Sequence, residues 1–413
     1  MKRHPLLPIF LIVVVDVLGL TIILPLLPFY AQRLGASATQ VGFLISVFAL
    51  CSLFSGPLLG RWSDSVGRKP LLLLSQVGTL AGFLILGSAQ VLWVAFVGRI
   101  IDGLTAGNLS LAQAYIADVT EPKNRARAFA LIGIAFGFGF LVGPAMSGFL
   151  SQYGYRVPFL VAAGLSLTSI LATAFLLPGG RRPESGAASQ GDSGPGGRRL
   201  SLLAWGQYAQ YFRRPALAPL LLQFFCFSFA FAGFTGGLAL FCERRLYWHG
   251  KPFGPEQVGY VFAYAGLLGV ILQGGLIGRL VKRFGETPLV TSGFLSLTAG
   301  YAVLSATFGI PLLLVAGTLS SFGNGVLRPA LTSLITQQVR SNEQGVVLGL
   351  NQSLFSVAQI LGPALAGFLI DKGQLSAWAL VSAVAAGLGL AINRAVPRPR
   401  SATSRTPEAG AAP

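Results

Sequence analysis

Three ionisable residues fall where a charge is expensive. Asp16 interrupts the apolar run PIFLIVVVDVLGLTIILPLLPFY, and Arg99 and Asp102 lie in GRIIDGLTAG within another. A charged side chain at the centre of a bilayer costs about 2.5–3.5 kcal/mol or more, so each such residue needs a reason. The runs that hold Asp16 and Asp102 cross in opposite directions, and at a rise of about 1.5 Å per residue both acids reach mid-depth. Arg99 is one turn from Asp102 on the same helix face. Two readings stand side by side. Arg99 and Asp102 form a static ion pair that holds the fourth span against the first. Alternatively, a carboxylate, with Asp16 favoured over Asp102, exchanges a proton while Arg99 tunes it. Burial disfavours a charged carboxylate and a nearby arginine favours it, so their separation decides whether protonation is reachable near neutral pH.

A second constellation is a polar island, GPLLGRWSDSVGRKP (56–70), between two apolar runs. It contains Gly56, Gly60, Arg61, Asp64, Gly67, Arg68 and Lys69. A diluted copy, GGLIGRLVKRFGETP (274–288), carries Gly278, Lys282 and Glu286. Asp64 and Arg68 sit four apart, as do Lys282 and Glu286 with the signs exchanged. Either pair is placed to tie a helix end to a neighbour and lock one conformation. The basic residues need no more explanation than a preference for the cytoplasmic side, so Asp64 is the informative member.

The remaining chemistry-bearing types are sparse. Cys51, Cys226 and Cys242 are scattered without a CxxC, and His4 and His249 lie outside the apolar runs. That pattern offers no metal site, no disulfide framework and no cofactor. A membrane enzyme would need a paired nucleophile and base, which the sequence does not show. The formal charge of +17 lies in short loops rather than in a basic stripe, so nucleic acid is not an expected partner.

The elements that position these residues follow from composition. The chain has 413 residues, 53% of them hydrophobic and only 10% charged, with a mean hydropathy of +0.68. A soluble domain is about one quarter charged, so this surface needs lipid as solvent. About 20 apolar residues span the hydrocarbon core, whereas barrel strands show only about 10 alternating ones. Twelve helical spans are expected, roughly at 7–30, 40–60, 70–90, 92–118, 127–151, 156–177, 216–242, 256–277, 287–308, 311–337, 345–370 and 374–394. The first is read as a retained span rather than a signal peptide, because its run is long and carries Asp16.

This is an all-α membrane protein with two six-helix halves, 1–177 and 215–394. Between them, 178–214 reads as a Gly/Ser/Pro-rich cytoplasmic linker, with Trp205, Tyr208 and Tyr211 expected on a short interfacial helix. The tail 395–413 reads as disordered. If the N-terminus is cytoplasmic, 22 of the 30 Lys and Arg residues fall on the cytoplasmic side. Both termini are therefore expected inside, in a cell membrane such as the inner membrane of a bacterium.

The halves repeat. Gly98 aligns with Gly317, and Gly143-Pro144 with Gly362-Pro363, at one offset. GPAMSGFL faces GPALAGFL, and Gln40-Val41-Gly42 matches Gln257-Val258-Gly259. Parallel six-span repeats are the organisation of transporters that rock two bundles about a central site. Gly139, Gly143, Pro144 and Gly148 give span 5 a smooth, closely approachable face, suited to tight packing and to a seal against leak. The aromatic run of span 7, with Phe227, Phe231 and Phe234, is a candidate lining for an apolar cavity. Buried polar groups require partners, so Gln273, Asn324, Arg328, Asn351, Gln352 and Gln359 are expected to face the cavity or another helix. Arg328 leads as an anion or hydrogen-bonding contact.

These residues together resemble the major facilitator superfamily, and within it the twelve-span drug:proton antiporters that include tetracycline exporters. Gly60, Asp64, Gly67, Arg68 and Lys69 stand on the positions of the family's signature loop. GRIIDGLTAG resembles the span-4 motif whose arginine, here Arg99, is linked to proton transfer, and GFGFLVGPAMSG is similar to the span-5 antiporter motif. The chain departs where the family usually has a glutamine, here Asp102. It also departs where tetracycline exporters carry an acid in span 3, here Gly82, and in span 9, which has none.

The resemblance implies the major facilitator fold and proton-coupled export of a hydrophobic or amphiphilic small molecule, by a monomer. The expected partners are that substrate, protons and the lipid bilayer. A metabolite importer or uniporter, or a lipid-type flippase, is the alternative on the same fold.

Overall fold

A computed structural model of the chain describes residues 6–120, 125–177, 210–340 and 343–395. The expected linker lies outside the described residues over 178–209, with Trp205 and Tyr208 in it, as does the tail over 396–413. Tyr211 and Arg214, which the sequence reading assigned to the linker, pack with the C-terminal half: Tyr211 joins its core and Arg214 bonds Glu343.

The N-terminal half contains α1 (Leu6–Arg33), α2 (Ala38–Val66), α3 (Arg68–Ser88), α4 (Leu92–Leu104), α5 (Asn108–Val119), α6 (Arg125–Ser151) and α7 (Val157–Leu176). The C-terminal half contains α8 (Ala218–Arg245), α9 (Pro255–Ile271), α10 (Ile277–Phe284), α11 (Glu286–Ser305), α12 (Ile310–Gln337), α13 (Gln344–Asp371) and α14 (Leu375–Ala395). A π turn, Leu272–Leu276, joins α9 to α10 as one span. Among the described residues, 11 helical spans are long and apolar enough to cross a membrane.

The expected fourth span is instead two helices, α4 and α5, that meet at Thr105–Gly107. Ser75 of α3 satisfies the backbone opened by this break, donating to the Thr105 carbonyl and accepting from the Gly107 N–H at 2.9 Å. A side chain inserted into the helical ladder is a standard cause of such an interruption. A short hairpin pairs Tyr247–Trp248 with Lys251–Pro252 through His249 and Gly250, both at positive φ. That is the geometry of a tight two-residue turn.

The repeat acts locally as well as globally. Gln40 caps α2 by accepting from the Ser37 N–H at 2.8 Å, and Gln257 caps α9 by accepting from the Gly254 N–H at 2.9 Å. Gly67, between α2 and α3, and Gly285, between α10 and α11, turn the chain with φ of 107° and 78°. Residues with a Cβ avoid that region, so the two polar islands make equivalent corners.

The apolar cores show how the halves meet. One cluster runs across both, from Tyr30, Val41, Leu44 and Phe159 to Leu240, Val258, Ile370 and Trp378. All of these lie toward the end of the bundle opposite Gly67 and Gly285. At the Gly67 end each half keeps its own core, around Leu59, Leu71, Leu111 and Tyr115 in one and Leu221, Leu331, Ile335 and Val347 in the other. Burial of apolar surface is the main cohesive term, so the halves are joined at one end and separate at the other.

Candidate functional site

The joined end is built on glycines that let backbones touch. A Cβ on Gly42 of α2 would run into the Pro363 carbonyl of α13, and one on Gly367 into that of Ala38. On the other side, a Cβ on Gly259 of α9 would come 2.6 Å from the Pro144 carbonyl, and one on Gly148 of α6 would come 3.0 Å from that of Glu256. The two contacts are related by the repeat. Polar bonds reinforce the first: Asp371 accepts from the Ala38 N–H at 3.2 Å and from the Thr39 hydroxyl at 2.9 Å, and Ser46 donates to the Ile360 carbonyl at 2.6 Å.

The four antiporter-motif residues therefore divide between two neighbours. Gly139 and Gly143 face α1, where the Thr21 hydroxyl donates to the Gly139 carbonyl at 2.9 Å. Pro144 and Gly148 face α9 of the other half. These contacts pack α6 tightly between α1 and α9 at the joined end. Gly60, Gly274 and Gly278, near the opposite end, have open space where a Cβ would stand.

The interior charges separate into two sites on either side of α3. Arg99 and Asp102 form a buried ion pair, Nη1 to Oδ2 at 3.1 Å. The Arg99 guanidinium also lies 4.1 Å from the ring centroid of Phe48 on α2. Asp102 packs against Gly82 and is close to Thr79, both on α3, so the pair ties α4 to α2 and α3 rather than to α1. Asp16 has Ser169 of α7 and Gln76 of α3 within hydrogen-bonding reach, and Gln76 Nε2 donates to Ser169 Oγ at 2.8 Å. No ion pair to Asp16 exists among the described residues.

At the first polar island, Arg68 is the hub. It bridges Asp64 at 2.6 Å and Asp118 of α5 at 2.9 Å, and it donates to Ser63 Oγ at 2.5 Å and to the Gly60 carbonyl at 3.3 Å. Lys69 donates to the Ala174 and Leu177 carbonyls at the end of α7, both at 2.8 Å. Gly56 faces the α4–α5 break, and Arg61 is exposed. In the second island Glu286 does not bridge Lys282. It accepts instead from Ser333 and from Gln337 at 2.9 Å, both on α12.

The cavity-lining candidates disperse. Phe227 is 2% exposed, inside the C-terminal core against Phe224 and Phe231. Phe234 lies 5.0 Å from Tyr301. Asn351 is buried, while Asn324 and Gln359 are half-buried. Gln273, in the π turn, and Gln352 are exposed. Arg328 is exposed and stacks over Phe355 at 4.8 Å. Sequence reasoning missed Asp118, Gln76, Ser169 and the Asp371–Thr39 contact. Position at a helix end was the only signal for Asp371.

Comparison with known proteins agrees with this architecture. The family model described as Major Facilitator Superfamily matches residues 9–305 and 255–413. The chain is 30% identical over 399 residues to a class D tetracycline resistance protein of Salmonella ordonez, covering 94% of this chain and 96% of that one. It is 26% identical to Multidrug resistance protein 2 of Bacillus subtilis, covering 86% of each. Its fold is similar to the crystal structure of a bacterial homologue of the human lysosomal transporter Spinster, in an inward-facing and unoccupied conformation. That likeness has a TM-score of 0.73 at 18% identity, over 95% of this chain and 98% of that one.

Proposed function

This chain belongs to the Major Facilitator Superfamily, and on that premise we propose that it exports a hydrophobic or amphiphilic small molecule across the cell membrane in exchange for protons. With the basic loops placed inside, the open end faces the cytoplasm and the glycine seal faces out. Substrate enters between the halves, the seal opens as the cytoplasmic ends close, and a proton returns the carrier. The alternation needs only one chain, so a monomer suffices. Similarity to tetracycline and multidrug resistance proteins supports export as the direction.

The observation that carries the coupling assignment is the contrast between the two interior acids. A proton reaching Asp102 must break the Arg99 bridge, whereas Asp16 has neutral hydrogen-bonding neighbours, so a proton exchanges there without separating an ion pair. Asp16 is the proton carrier in this reading, and the Arg99–Asp102 pair fixes α4. The Arg68 cluster, remote from both, is the conformational latch, engaged through Lys69 and Asp118 within its own half.

Inverted vesicles containing the protein, presented with a panel of fluorescent dyes and antibiotics under an acid-inside gradient, test the reading. Uptake that collapses with an uncoupler is expected. Uptake indifferent to the gradient, or none across a broad panel, contradicts it.

A further inference from the structure

The C-terminal half carries one charge far from its helix ends, and that charge has no counterion among the described residues. All five of its acids lie at helix ends and are engaged there. Glu243 neighbours Arg244 and Gln32, Glu256 accepts from Tyr260, and Glu286 accepts from Ser333. Glu343 binds Arg214, and Asp371 binds Thr39. Arg328, by contrast, lies nine residues before the end of α12 and has no ion pair among the described residues. An interior cation is retained only where something offsets its desolvation.

Its surroundings show which way it faces. On α12, Gly323 and Leu327 pack on Gly293 of α11, whereas Val326 and Gly325 pack on Leu272 beyond α9. Arg328 emerges on the remaining side and lies over Phe355 of α13. Helices α9 and α13 are the two on which the N-terminal half rests, so the guanidinium looks into the space between the halves. One turn before Phe355, the Asn351 side chain is buried with neither amide atom hydrogen-bonded among the described residues. An accessible guanidinium, an aromatic face and an unsatisfied amide form a site for a molecule that is both apolar and anionic.

We propose that Arg328 receives the anionic group of an amphiphilic substrate, a carboxylate or sulfonate attached to an aromatic body that packs on Phe355. This deepens the export reading and rests on it for the claim that the bound molecule is cargo. The N-terminal half supplies the proton site and the C-terminal half the anion site, so charge recognition and coupling reside in different bundles.

Anilinonaphthalene sulfonate and its uncharged parent phenylnaphthylamine differ by the sulfonate and serve as matched probes. Their binding to the purified detergent-solubilised protein, measured by fluorescence titration without any gradient, tests the anion site apart from transport. Wild type is expected to bind the sulfonate more tightly than the parent. Arg328→Gln is expected to weaken sulfonate binding by about tenfold or more and to leave the parent unchanged, while Arg328→Lys restores most of the loss. Millimolar inorganic sulfate should compete poorly.

Equal loss of both probes in Arg328→Gln, no change in either, or no sulfonate binding by wild type overturns the proposal. So does displacement by inorganic sulfate as effective as by the probe itself, which would make the site one for a small inorganic anion. Gradient-driven uptake of the sulfonate in vesicles then addresses export separately: intact binding without driven uptake refutes the export reading and leaves the anion site standing.

Discussion

Gly259 lies directly against the backbone of Pro144, so that a Cβ on it would come within 2.6 Å of the Pro144 carbonyl oxygen. Gly42 meets Pro363 in the same way on the opposite side of the bundle. In each case a glycine two residues after a capping glutamine in one half receives the proline of the other half. The seal is therefore a reciprocal use of one repeated pattern, and it closes by backbone contact that no side chain can make room for.

Substituting Leu for Gly259 or Gly42 should prevent that closure. Overpacking costs about 1–3 kcal/mol or more, enough to shift a bistable carrier toward its other state. Labelling of a cysteine introduced beside the seal should rise in both variants and transport should fall. Unchanged accessibility would show that the contact does not hold the end shut.

Asp371 joins the halves at the same end and caps α2 by accepting from Ala38 and Thr39. Loss of a capping acid costs about 0.5–2 kcal/mol, and this one is exposed, so the low end applies. Asp371→Ala should raise accessibility at the seal less than the glycine variants do. A double-mutant cycle with Thr39→Val should show coupling between the two positions, and strict additivity would deny the bond.

Asp64 is one of two carboxylates on Arg68, both partly exposed. Such bridges contribute about 0.2–1 kcal/mol. Asp64→Asn should slow turnover a few-fold with substrate binding intact, because the cluster's partners, Asp118, Ser63 and the Gly60 carbonyl, lie at the ends of α2 and α5 within one half. A matching loss of binding would place the loop in the substrate site instead.

Arg214 donates to both oxygens of Glu343, at 2.6 and 3.1 Å, and these bonds hold the Glu343 carboxyl below its ordinary range. A carboxyl whose value falls on folding stabilises the fold above its unfolded value, and the benefit disappears as pH falls through the folded one. The tie between the starts of α8 and α13 should thus be present at neutral pH and lost in acid. Glu343→Gln should flatten that part of the pH dependence of thermal unfolding, by about 0–1 kcal/mol for so exposed a pair.

What the sequence revealed follows from the range of the forces involved. Gly42, Gly259, Pro144 and Pro363 were legible as markers of the repeat but not as pairs that meet across the halves, because that contact forms only when the two bundles pack. Gly67 was legible as a loop residue. The partners of Asp16 were not, since Gln76 and Ser169 become neighbours only after three helices pack. Arg68 and Asp118 are 50 positions apart, and Asp371 and Thr39 are 332 apart. The aromatic run of α8 gave no face, so Phe227, expected near a cavity, is a core residue. The break at Thr105–Gly107 was not expected within the fourth span, because the group that satisfies it, Ser75, comes from another helix.

Proton coupling by Asp16 is tested most directly by uphill transport in proteoliposomes. For a substrate found in the dye and antibiotic panel, gradient-driven accumulation and gradient-free counterflow are measured for wild type, Asp16→Asn and Asp102→Asn. Asp16→Asn should retain counterflow while losing accumulation, and Asp102→Asn should lose both through disruption of the Arg99 pair. Accumulation that survives in Asp16→Asn at the wild-type level would contradict the account.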